Sequence, residues 1–135
     1  MFNFFKKKAP KTNLAPDSEV KSSLTAQQME QIEQKINQLL QQIEKTEDLL
    51  MLASSCEQIG LLYHQLNHID LAIEYLEKSQ QHKKSIGDGY KTLMNLYNSK
   101  RAQAAQHGSL ADIDIWMNKM DAMRNIAKQM TIQRD

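Results

Sequence analysis

Two histidines have the spacing of metal ligands on one helix face. His64 and His68 are four residues apart, as are the zinc ligands in the His-Glu-x-x-His motif of metalloproteases. Gln65 follows the first histidine here, so the glutamate that acts as general base in that motif is missing. No third ligand follows at a recognisable spacing, and we expect Asn67 to end the helix before His68. The pattern therefore favours a polar helix end over a metal site.

The single cysteine and the glycines predict no catalytic arrangement. Cys56 lies on the apolar side of a helical pattern, where burial makes a thiol inert, and no Cys-His-Asp arrangement accompanies it. The run Gly87-Asp88-Gly89 follows a helical pattern and lacks the spacing and the lysine of a phosphate-binding loop. It is typical of a turn. We therefore expect neither enzyme activity nor a bound metal or cofactor.

The composition favours one small helical domain. A chain of 135 residues is long enough for a single core. Its net charge of +1 gives no strong field that would indicate nucleic-acid binding. Four glycines and two prolines among 135 residues, against eight methionines, favour helices over strands. One cysteine excludes an internal disulfide, no apolar run approaches the roughly 20 residues that span a bilayer, and the first residues lack the order of a signal peptide. We expect a cytoplasmic protein.

Residues 1–24 are predicted to be a disordered tail before a helical domain at 25–135. The segment contains two prolines and three serines but few apolar residues, so it would bury too little surface to offset its ordering entropy. An alternative is a peripheral contact with an anionic membrane surface, in which aromatic rings insert and lysines meet headgroups. We expect such a contact to be weak because the segment is short. The residues that would make it are Phe2, Phe4, Phe5, Lys6, Lys7 and Lys8.

Apolar periodicity predicts five helices. The pair Thr25 and Gln28 has the spacing of a capping box, and an apolar stripe from Met29 to Ile43 follows, so the first helix is predicted at 25–45. This stripe and the next one point to nearly opposite sides, which predicts a break at 45–48 with Thr46 as the cap. The remaining helices are predicted at 47–66, 69–84, 90–107 and 110–130, with the methionines of the last helix mainly in the core.

One stretch carries the resemblance to a known family. Ile59 and Gly60, then Tyr63, then Ala72 and Leu76 resemble a tetratricopeptide repeat, whose pattern is L-G-x2-Y followed by A-x3-F. The run from Ala72 to residue 79 is similar to the second helix of such a repeat almost residue for residue. The two small residues predict a closely packed antiparallel helix hairpin.

The second half of the chain resembles a degenerate repeat. Tyr90, Leu93 and Tyr97 match the first helix of a repeat, whereas the following helices are longer and the match aligns Trp116 with Ala72. The resemblance implies an all-α fold of antiparallel hairpins in a short right-handed superhelical bundle. It also implies an interaction module that binds a partner segment in a groove.

Lys91 and Asn95 are similar to part of a carboxylate clamp. In tetratricopeptide domains, a lysine and an asparagine on the groove-lining face can hold a peptide carboxylate. The remaining donors of that clamp are not evident, so a general peptide contact is favoured. By the register of the repeat, the groove residues would have little packing role. The predicted partner-binding residues are Leu61, His64, Lys91, Asn95 and Asn98.

Three functions compete, and the last of them, an enzyme or metal protein, is indicated only by His64 and His68. The first is a small cytoplasmic interaction module, an adaptor with a protein or peptide partner and no catalysis. The second is a structural or regulatory helical oligomer, such as a homodimer, that uses the helix at 25–45 as its interface and in one version lies at the membrane surface. An exposed apolar patch beside the groove would favour the first, and an exposed stripe from Met29 to Ile43 would favour the second.

Overall fold

The computed structural model describes residues 23–133, which form five α-helices and no strand. The predicted all-α class is therefore confirmed, and successive helices joined by short turns pack as antiparallel neighbours. Nearly all of the predicted tail, including the phenylalanines and lysines at its start, lies outside the described residues. The helices are α1 (Ala26–Glu44), α2 (Leu49–Gln65), α3 (Ile69–His82), α4 (Asp88–Gln106) and α5 (Leu110–Gln133).

Side-chain caps begin the first two helices. The Thr25 hydroxyl accepts a hydrogen bond from the Gln28 N–H at 3.0 Å, and the Gln28 side-chain oxygen accepts one from the Thr25 N–H at 2.9 Å, so the capping box is confirmed. The predicted cap of α2 is wrong, because the Asp48 carboxylate accepts from two first-turn N–H groups at 2.9 and 3.2 Å. The Thr46 hydroxyl instead accepts from the Asp48 N–H. The break between α1 and α2 lies where the sequence predicts it.

Two left-handed residues end α2 and α4. Asn67 has φ of 63° and Gly108 has φ of 71°. After α2, N–H groups of Asn67 and His68 donate to carbonyls of the last turn, both at 2.9 Å, which is the pair of bonds of a Schellman motif. Gly108 and Ser109 repeat these bonds after α4 at 3.2 and 3.0 Å. Both hairpins therefore turn in the same way.

The second hairpin is the longer one, as the sequence predicts. Its helices have 19 and 24 residues, against 17 and 14 in the first. Counted from the left-handed residue of each turn, Trp116 follows Gly108 by eight residues and Tyr75 follows Asn67 by eight. Measured from the turn, Trp116 thus corresponds to Tyr75 and not to Ala72.

The core consists of two apolar clusters that share α2 and α3. In one, Ile36 and Leu39 of α1 pack with Ile59 of α2. The apolar stripe of α1 is therefore buried against α2, and Met29 is the most exposed residue of the stripe. The other joins α3, α4 and α5 and includes two of the methionines predicted to be core residues. Its buried members are Ala72, Ile73, Leu76, Leu93, Leu96, Tyr97, Met120 and Met123.

The closest approach within the fold is between α2 and α3 at Gly60. A Cβ placed on Gly60 would lie 2.7 Å from the Leu76 Cγ and 3.1 Å from the Ala72 carbonyl oxygen, so only glycine fits. About one turn further along α3, the buried Ser79 hydroxyl donates a hydrogen bond to the Ala53 carbonyl of α2 at 2.8 Å. The tight contact predicted from Gly60 and Ala72 is confirmed, with Leu76 as the side chain that fills it.

We expect Gly60→Leu to lower the free energy of unfolding by a few kcal/mol, toward the upper end of the about 1–3 kcal/mol typical of overpacking. The added side chain would meet both Leu76 and the backbone of α3. Urea unfolding followed by circular dichroism measures the change. Ala105→Leu on the exposed side of α4 is the control and should stay near the parent. A Gly60→Leu protein as stable as the parent would contradict this packing.

Candidate interaction face

Three of the five predicted partner-binding residues lie together on α4. Lys91, Asn95 and Asn98 are all exposed, and spacings of four and three residues place them along one helix face. The Lys91 ammonium and the Asn95 amide have no hydrogen-bond or ion-pair partner among residues 23–133. The Asn98 side-chain oxygen accepts from the Arg101 Nε at 3.0 Å. This face therefore presents two cations and two amides to solvent.

The other two predicted residues lie on α2, and one of them is also a packing residue. Leu61 is half-buried and contacts the cluster that contains Leu93 and Leu96. The expectation of little packing role is therefore wrong for Leu61, because its side chain packs against this cluster. His64 is half-buried in the last turn of α2, and its carbonyl accepts from the Asn67 N–H.

A long-range hydrogen bond joins α2 to α4. The Glu57 Oε2 accepts from the Gly89 N–H at 2.8 Å, which places a carboxylate at the positive end of the α4 dipole. Gly89 is buried in the first turn of α4, and a Cβ there would collide with the Glu57 side chain. The sequence does not predict this bond, since its partners are 32 residues apart. The bond holds the faces of α2 and α4 side by side.

The face of α2 has an apolar end. Spacings of four, three and four residues place Leu50, Ser54, Glu57 and Leu61 along one side of the helix. Leu50 is 64% exposed, and its neighbours in the first turn are exposed as well. We call the surface formed by Leu50, Ser54, Glu57, Leu61, His64, Lys91, Asn95, Asn98 and Arg101 the interaction face.

His68 and Cys56 both take part in packing. The His68 ring stacks on the Tyr63 ring with centroids 6.0 Å apart, across the turn that Asn67 makes. Among residues 23–133, no group of three potential metal-binding side chains comes together. Cys56 is 1% exposed, and burial raises the pKa of its thiol.

A polar cluster that the sequence does not predict lies in a cleft of about 270 Å³ between α3 and α5. The Tyr97 hydroxyl and the Lys119 ammonium both donate to the Glu77 Oε2, the latter at 2.8 Å. Burial, and then the hydrogen bond to Glu77, raise the pKa of Tyr97. The sequence does not predict these bonds, because Glu77 lies 20 residues before Tyr97 and 42 residues before Lys119. These groups bond to one another, so the cluster ties three helices together.

Comparison with known proteins adds no relative. Comparisons of the chain with protein-family models, with curated proteins and with solved structures found no match. Within residues 23–133, no helix is both long enough and apolar enough to cross a membrane. The geometry of the described residues and the sequence pattern therefore carry the functional argument.

We expect Glu57→Ala to lower the free energy of unfolding by about 1–2 kcal/mol, because it removes a charged hydrogen bond and leaves the buried Gly89 N–H without its acceptor. Chemical denaturation measures the loss. The control is Glu74→Ala, which removes an exposed ion pair with Lys78 at 3.2 Å and should cost only about 0.3–0.5 kcal/mol. Equal effects of the two substitutions would contradict a structural role for Glu57.

We expect Tyr97→Phe to lower the free energy of unfolding by about 1.5–3 kcal/mol at neutral pH, the range for hydrogen bonds to charged groups. The folded-state pKa of Tyr97 lies above the unfolded value, so its contribution is full below about pH 10 and declines at higher pH. Unfolding midpoints measured across this range should show the difference from the parent shrinking above about pH 10.

The control for this measurement is Tyr75→Phe. The Tyr75 ring contacts Tyr63, and its hydroxyl has no hydrogen-bond partner among the described residues, so we expect little change in stability. A difference between Tyr97→Phe and the parent that stays constant through alkaline pH would argue against the protonated hydroxyl as its cause.

Proposed function

We propose that this chain is a small tetratricopeptide-like interaction module that binds a segment of a partner protein across the interaction face. The observation that carries the proposal is the pair Lys91 and Asn95, two exposed polar side chains without partners among the described residues. They stand on a helix whose opposite side, with Leu93 and Tyr97, is buried in the core. Because the helix is packed against the core, the positions of these side chains are fixed before a ligand binds.

The charges favour an acidic partner segment. Of the cations on α4, Lys100 is paired with Asp70 at 2.8 Å, whereas Lys91 has no partner within the described residues and Arg101 bonds only a neutral amide. Lys91 and Arg101 are ten residues apart, or about 15 Å along the helix axis. An extended peptide covers about 14 Å in four residues. Two acidic side chains four residues apart would therefore reach both cations.

The link between the helices also supports the proposal. Glu57 ties the first turn of α4 to the middle of α2, and Leu61 packs against the cluster that contains Leu93 and Leu96. A partner would meet a surface already formed, so little binding energy would go into rearrangement. Leu50 would add an apolar contact at one end of the face.

The alternative, an oligomer built through α1, has less support. Its apolar stripe packs on α2 within the same chain, with Ile36 and Leu39 each 3% exposed. An interface through α1 would have to use its polar side. The adaptor role and the cytoplasmic location belong to the proposal and rest on the resemblance to tetratricopeptide repeats.

The combined substitution of Lys91→Ala and Asn95→Ala tests the proposal. It removes one charge and one amide from exposed helix positions, so stability should change by no more than about 0.5 kcal/mol, while recovery of the partner in a pull-down identified by mass spectrometry should fall. The matched control, Asn125→Ala with Lys128→Ala on exposed positions of α5, should leave recovery unchanged. Undiminished recovery by a folded Lys91/Asn95 variant would make the proposed face wrong.

A further inference from the structure

Three consecutive apolar residues at the start of α2 are exposed. Leu49, Leu50 and Met51 expose 59%, 64% and 52% of their surface. Successive helix residues point about 100° apart, so no single neighbouring helix covers all three. A run of three exposed apolar residues is unusual unless it has a contact role. We call this run the Leu49–Met51 surface.

Carboxylates border the Leu49–Met51 surface. Glu44 at the end of α1 and Glu47 and Asp48 in the turn that follows are exposed, and Lys45 is the cation among them. Asp48 is occupied as the cap of α2, whereas Glu44 and Glu47 have no ion-pair partner within residues 23–133. An occupant that matches this surface would therefore carry apolar side chains next to basic ones.

The start of the same chain has this composition. Three phenylalanines among residues 2–5 are followed directly by lysines at 6–8. We propose that residues 2–8 bind the Leu49–Met51 surface of their own chain, with the phenylalanines against the apolar run and the lysines facing Glu44 and Glu47. This inference does not depend on the proposed function, although Leu50 belongs to both surfaces, so binding would cover one end of the interaction face.

The length of the connecting chain allows this contact. Residues 9–22 number 14 and reach at most about 46–50 Å. They join the described chain at Ser23, just before α1, and α1 runs its 19 residues, or about 28 Å, to the end of the bundle that carries the Leu49–Met51 surface. The connection is therefore long enough to return residues 2–8 along α1.

The charges favour this occupant over a lipid surface. Glu44, Glu47 and Asp48 would repel the anionic headgroups that lysine-rich segments bind. The same carboxylates attract lysines, and the attraction is strongest at low salt. A protein segment with basic residues therefore suits this surface better than an anionic bilayer does.

A spin label on the full-length chain tests the proposal. Asn3→Cys provides a labelling site, while Cys56 is 1% exposed and stays unlabelled in the folded protein. We expect the label to cause loss of amide NMR signal for residues 47–52 and to leave Asn67 and Gly108, at the opposite end of the bundle, unaffected. Replacing Phe2, Phe4 and Phe5 by serine should restore the lost signals.

A charge reversal provides the specific control. Changing Lys6, Lys7 and Lys8 to glutamate should restore the signals of residues 47–52. Adding Glu44→Lys and Glu47→Lys to that variant should bring the signal loss back, whereas Asp48 is left unchanged because it caps α2. A segment that binds nonspecifically would lose the contact with residues 47–52 when its lysines are changed to glutamate, and the added Glu44→Lys and Glu47→Lys changes would not restore it.

Three results would overturn the proposal. The first is no signal loss at residues 47–52, or equal loss at both ends of the bundle. The second is signal loss in an unlabelled ¹⁵N chain mixed with spin-labelled chain, which would assign the surface to a second copy. The third is an unaffected surface together with binding of the labelled segment to phosphatidylglycerol vesicles, which would assign the segment to a membrane.

Discussion

The fold depends on the close contact of α2 and α3 at Gly60. Since a Cβ there would meet Leu76 and the backbone of α3, this position sets how near the two helices come. Ile59 and Leu76, on either side of the contact, are 0% and 1% exposed, and each belongs to a different apolar cluster. Helix α1 adds to the Ile59 side and the second hairpin to the Leu76 side. Each side of the hairpin is thus buried by a different part of the chain.

The sequence predicts those features whose causes are local. The capping box at Thr25, the left-handed turn at Asn67 and the helix end at Gly108 each depend on a few neighbouring residues, and the helix bounds follow from them. The cap of α2 was misassigned because Thr46 and Asp48 are both good caps two residues apart, and only the backbone path decides between them. The sequence match aligned Trp116 with Ala72, whereas its distance from the left-handed residue of the turn corresponds to that of Tyr75.

Contacts between distant residues could not be predicted in this way. The bond from Gly89 to Glu57 and the ion pair of Lys119 with Glu77 join residues 32 and 42 positions apart, and their formation requires knowing how the helices pack. The exposure of Lys91 and Asn95 was predictable from helix periodicity, because it requires only the position of the buried face. The partial burial of Leu61 was not, because it depends on how α2 packs against residues that are distant in the sequence.

The two sides of α4 differ in how their charges are satisfied. On the side toward α3 and α5, the Glu77 carboxylate is bonded by both Tyr97 and Lys119, so the cleft there offers a ligand little that is not already used. On the opposite side, Glu57 is held by a backbone N–H, and the Lys91 ammonium has no ion-pair partner among residues 23–133. A partner carboxylate that binds the Lys91 ammonium breaks no hydrogen bond within the protein. A ligand that enters the cleft would have to compete with the hydrogen bonds that Tyr97 and Lys119 already make to Glu77. This difference is the physical reason for placing the partner on the side of α4 that carries Lys91.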